Sequence, residues 1–115
     1  MRKVNLADYK VKKKAVDPAS PDNFTEYFLT YPVKDTILNL MFQREMQLNS
    51  AELVKQNALA LKIEGCKETV ILLEDAEWER LKKAIETFKG FHRDDTELVS
   101  RILEAEKVIP DTSRT

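Results

Sequence analysis

Cys66 and His92 are the chain's one thiol and one imidazole. With Asp94 or Asp95 as an orienting carboxylate, they have the types of a nucleophile, its base and a support for that base. Both flank expected helix ends, where a thiol can be activated. Residue type alone is weak ground, however, and no family spacing joins the two. A cysteine that follows the helix-stopping Gly65 is accounted for by packing on Leu61, and a histidine in a short connector by solvation. No catalytic residue is assigned, and the chain reads as a non-enzyme.

Glu74, Asp75, Glu77 and Glu79 form the other dense group of chemically able side chains. A calcium loop of the EF-hand kind alternates oxygen ligands about a central glycine, and this stretch has no such glycine. First-turn carboxylates that complement a helix dipole explain all four. Gly65 and Gly90 stand too far apart to form a phosphate-cradling loop, and one cysteine with one histidine is too few for a structural zinc. No metal and no cofactor are expected.

A third group is basic. Residues 1–14 carry six cations against Asp8 alone, a balance of +5 that leaves −6 on the rest of a chain whose formal charge is −1. Lys10, Lys12, Lys13 and Lys14 beside Tyr9 can neutralise phosphates and stack on a base. Lysines on an exposed edge strand also guard against edge-to-edge pairing, and an acidic body repels a polyanion. The arm therefore suits an acidic protein surface as well as nucleic acid.

The elements that position these residues follow from periodicity. Trp78, Leu81, Ala84, Ile85 and Phe88 recur at helical spacing, acidic residues lead, and Gly90 stops the helix. Thr69–Leu73, β-branched and aliphatic, reads as a buried strand that feeds it. Val4–Lys14 alternates as one strand or a broken pair. The stretch 17–23, with two prolines, reads as a loop, and Phe24–Tyr31 as a strand that completes a hairpin.

Pro32 opens a helix expected to reach Gln47. On it Val33, Ile37, Leu40 and Met41 share one face, while Leu38, Phe42 and Met46 fall nearly opposite. That second stripe is either covered within the domain or left for another chain. Asn49 and Glu52 cap a helix to Glu64, with Val54, Ala58 and Leu61 expected toward the core. Asp94 and Glu97 cap a last helix to about Lys107.

Together these elements make an α+β fold, a small sheet from the N-terminal hairpin and the central strand against about four helices. The expectation is one domain over residues 1–109 and a polar tail over 110–115. The longest apolar runs, such as Val70–Leu73, are four residues, against the roughly 20 that cross a bilayer. No membrane contact and a cytoplasmic location follow, or a virion for an assembly component.

The reading is a non-catalytic protein-interaction or assembly protein. Leu38, Phe42 and Met46 serve as apolar anchors, and the Tyr9 to Lys14 arm docks electrostatically on a protein partner or a second copy. The alternative is a small nucleic-acid-binding or transcription-modulating protein led by the arm. In type, a charged arm without a catalytic constellation resembles small phage-encoded accessory or virion-assembly proteins, a likeness that no motif carries.

Overall fold

The computed structural model describes residues 1–17 and 19–108, the side chains at 17 and 20–24 excepted. Pro18 of the expected loop and the expected tail at 110–115 lie outside the described residues. The architecture is α+β, with four helices and two small antiparallel sheets.

The Val4–Lys14 alternation is a broken pair. Strand β1 (Arg2–Asn5) turns away at Leu6, and β2 (Tyr9–Asp17) begins a separate ribbon with β3 (Ser20–Tyr31). β1 is the middle strand of the other sheet, between the central strand β4 (Val70–Leu73) and the short β5 (Glu106–Lys107). Where one sheet is expected from hairpin and central strand, there are two. β4 buries Ile71 and Leu73 and exposes Leu72, as a sheet covered on one face requires.

The expected loop at 17–23 is mostly strand. Asp17 pairs with Ser20 and Val16 with Phe24, so the register jumps and residues 21–23 stand out of the ladder as a bulge. Irregular register of this kind is where a strand tolerates a proline such as Pro21.

Helix α1 (Val33–Met41) opens on the backbone amide of Val33, which donates to Asp8 Oδ1 at 2.9 Å. It is shorter than its pattern suggests. Two side-chain amides take the terminal carbonyls: Gln43 Nε2 donates to Leu40 O at 2.8 Å and Gln56 Nε2 to Met41 O at 3.0 Å. The chain then makes a 3-10 turn over Arg44–Met46, with Gln47 left-handed at φ 48°.

Helix α2 (Ser50–Gly65) starts where its cap predicts, the Asn49 side chain accepting from the Glu52 amide at 2.9 Å. Its buried face corrects the expectation: Gln56, Leu59, Ala60 and Ile63 point inward, while Leu53, Val54, Ala58 and Leu61 are exposed. Both sets obey helical spacing. The buried one wins because Gln56, wholly enclosed, closes α1 with its amide and accepts from the Arg80 guanidinium at 3.2 Å.

Helix α3 (Asp75–Thr87) buries its expected face through Trp78, Leu81, Ala84 and Ile85 but ends before the glycine expected to stop it. Phe88 is already extended and meets Phe91 edge to face, and Gly90, with φ +103°, lies in the connector beyond. Trp78 Nε1 donates to Ile102 O at 2.8 Å, and Arg2 lies 4.1 Å above the indole, so α3 locks β1 to α4 (Thr96–Leu103). The carboxylate that opens the turn into α4 is Asp95, which accepts from the His92 amide at 2.8 Å. The expected Glu97 instead pairs with Arg101.

Candidate interaction surface

The ribbon β2–β3 is fastened to the body at its base. Tyr9 and Tyr31 face each other across the ladder and stack with centroids 4.5 Å apart. Their hydroxyls grip the turn before α4: Tyr9 donates to Asp94 O at 2.7 Å, and Tyr31 to the Asp95 carboxylate. Lys13 pairs with Asp94, and the Arg101 guanidinium lies 5.0 Å over the Tyr9 ring. Burial raises the Tyr31 hydroxyl well above its ordinary pKa, and the Asp95 carboxylate raises it further. Tyr9 is raised too, chiefly by burial.

Beyond that base the ribbon leaves the body. Twelve residues of β3 span about 40 Å at roughly 3.3 Å each, and the molecule is 65 Å in its longest dimension against 37 and 22 Å in the others. Successive side chains alternate across a strand, so the ladder register defines two faces. One carries Tyr9, Val11, Lys13 and Ala15 with Tyr31, Leu29, Tyr27 and Thr25. The other carries Lys10, Lys12, Lys14 and Val16 with Thr30, Phe28 and Glu26.

Both faces hold large apolar side chains in water. Phe28 is 64% exposed, and Val16, Tyr27 and Leu29 are also exposed. The lysines of the arm are engaged: Lys12 reaches Glu26 at 2.9 Å, Lys13 reaches Asp94, and Lys10 Nζ donates to Thr30 Oγ1 at 2.5 Å. Together with Arg93, the face bearing Lys10, Lys12 and Lys14 lines a concavity whose wall also includes Asp94 and Glu97.

The stripe expected on the Pro32–Gln47 helix is divided by the break after Met41. Leu38 is half-buried against the core, Met46 is inside it, and Phe42 alone stands open at 41% exposure. The helix with two apolar stripes is α2, whose outer Val54 is 70% exposed.

Tyr27, Phe28, Leu29 and Val16 are absent from the anchors named by sequence, although β3 carried a signal. Its large apolar residues sit at both odd and even positions, and a two-stranded ribbon cannot bury both faces.

The other chemically able residues are held locally. The Cys66 thiol lies 3.6 Å from Glu68 O and 3.8 Å from Val70 O. His92 lines a cavity of about 270 Å³ with Phe88, Phe91, Gln43 and Asp95, and Cys66 is not in its wall. Glu74 and Glu77 cap α3, the Glu74 amide donating to Glu77 Oε1 at 2.9 Å, and Glu77 also accepts from Lys62 at 2.8 Å. Asp75 and Glu79 are exposed on α3.

Arg80 holds the Glu52 carboxyl below its ordinary pKa by hydrogen bonding. Among the described residues no three His, Cys, Asp or Glu side chains converge as a metal-ligand set, and no helix is long and apolar enough to cross a membrane. Compared with protein-family models, curated proteins and solved structures, the chain finds no match.

Proposed function

We propose that this chain is a non-catalytic association or assembly protein whose contact element is the β2–β3 ribbon. The observation that carries the reading is the exposure of Tyr27, Phe28 and Leu29 in consecutive positions of a strand that extends beyond the body. An isolated hairpin is marginal in water, and apolar side chains on both its faces stabilise it only when something covers them. Aromatic side chains are suited to that role because they bring much contact area with little rotamer freedom to lose. Phe42 offers one further accessible anchor on the body.

The second reading, nucleic-acid binding, is favoured by one observation: Lys10, Lys12 and Lys14 share a face with Phe28, a basic strip about an aromatic. Against it, Lys12 and Lys13 are spent on Glu26 and Asp94, and Asp94 and Glu97 border the basic concavity.

Light scattering with and without Tyr27→Ser plus Leu29→Ser separates the two. The association reading expects a mass above the monomer that falls to the monomer in the double variant, with the far-UV circular dichroism spectrum kept. Binding to a random-sequence DNA or RNA oligomer that weakens steeply with salt and is abolished by neutralising Lys10, Lys12 and Lys14, with the chain itself monomeric, would overturn it in favour of the second.

A further inference from the structure

Resting on the association reading, we infer that the partner is a second copy of this chain. The two ribbons join along the outer edges of β3, antiparallel and symmetric about Phe28, as one four-stranded sheet in the order β2, β3, β3, β2.

The two edges of the ribbon are unlike. β2 presents Lys10, Lys12, Lys13 and Lys14, a run of charge that opposes strand addition. β3 carries no charge from Tyr27 to Tyr31, and its residues there, Tyr-Phe-Leu-Thr-Tyr, are strong strand formers. No third strand lies beside β3 among the described residues. One edge is guarded and the other left open.

A two-fold at Phe28 makes the open edge self-complementary, as a symmetric dimer interface must be. Phe28 falls opposite its own copy, Tyr27 opposite Leu29, and Glu26 opposite Thr30. The observed ladder extends these pairs into rows across four strands. On one face, Lys13, Tyr27, Leu29 and Val11 run in a row, and its symmetric mate runs the other way, giving a continuous apolar patch. On the other face, Glu26 lies beside Thr30 of the second copy, where Lys10 Nζ is already hydrogen-bonded to Thr30 Oγ1. Each Glu26, paired with Lys12 in its own chain, thereby gains a second cation from the other. The Lys-rich β2 strands end on the outside of the sheet, where they block further addition and stop growth at two copies.

The test is disulfide trapping in a Cys66→Ser background, with light scattering alongside. Directly opposed residues on antiparallel strands are within disulfide reach. Phe28→Cys is expected to cross-link to itself under mild oxidation. A mixture of Tyr27→Cys and Leu29→Cys chains is expected to give mainly the mixed dimer. Val11→Cys, on the guarded strand, is expected to stay monomeric on a denaturing gel.

A chain that is dimeric by scattering yet fails to cross-link at Phe28→Cys and in the mixture would overturn the strand-edge arrangement and leave association standing. A chain monomeric at every concentration would overturn both. Because Phe28 is exposed, loss of fold does not confound the variant, and an unchanged melting curve verifies this.

Discussion

Tyr31 is the residue on which the ribbon turns. It stacks on Tyr9, and its hydroxyl donates to Asp95, a carboxylate that also accepts from the His92 amide. A hydrogen bond to a charged acceptor contributes about 1.5–3 kcal/mol, so Tyr31→Phe should cost close to the lower figure in a urea melt. Its pH dependence has a definite sign. The folded hydroxyl holds its proton more tightly than the unfolded one, whose pKa is about 10.

The bond's contribution is therefore complete below about pH 10 and declines as pH rises beyond it. Stability measured between pH 8 and 11 should fall more steeply in the parent chain than in Tyr31→Phe, and equal slopes would contradict this role. Little of the anchoring was legible beforehand. Tyr9 stood out for its neighbouring lysines, whereas its partners Tyr31 and Asp94 lie 22 and 85 positions away, a distance no local pattern spans.

Among the elements, α3 is the easiest to read because two local causes agree on it, apolar spacing and acidic residues in the first turn, although it ends at Phe88, before the glycine expected to stop it. α1 misleads because no local signal marks its end. Its end is made by Gln43 and by Gln56 from another helix, so its last turn is a tertiary fact. The break sends Met46 inward and leaves Phe42 out, and the two should differ accordingly. Met46→Ala is expected to cost about 2–5 kcal/mol in a denaturant melt, and Phe42→Ala less than about 1 kcal/mol.

Like costs at the two positions would return the segment to one continuous helix, on which Phe42 and Met46 share a face. α2 carried two helically spaced apolar stripes, and composition could not say which was inside. The buried glutamine decided it, and a polar residue is the last one a hydrophobic pattern would choose.

At the scale of the molecule, the α+β class was readable from the mixture of periodicities, but the division of strands was not. Leu6, Ala7 and Asp8 look like one more step of an alternating strand. In the structure they are the corner where the chain leaves a body sheet for a ribbon, with Asp8 spent on the first amide of α1. The sequence places its excess of oily side chains on the Pro32–Gln47 segment, but there only Phe42 is open; the exposed ones stand on β3 and on the outer face of α2.

The central claim is that β3 is a contact surface, and hydrogen–deuterium exchange at the backbone amides of residues 25–30 tests it most directly. As the chain is concentrated, exchange at Tyr27, Phe28 and Leu29 should slow at least tenfold while amides of α3 stay constant. Fast exchange in that segment, unchanged over the whole concentration range, would contradict the account.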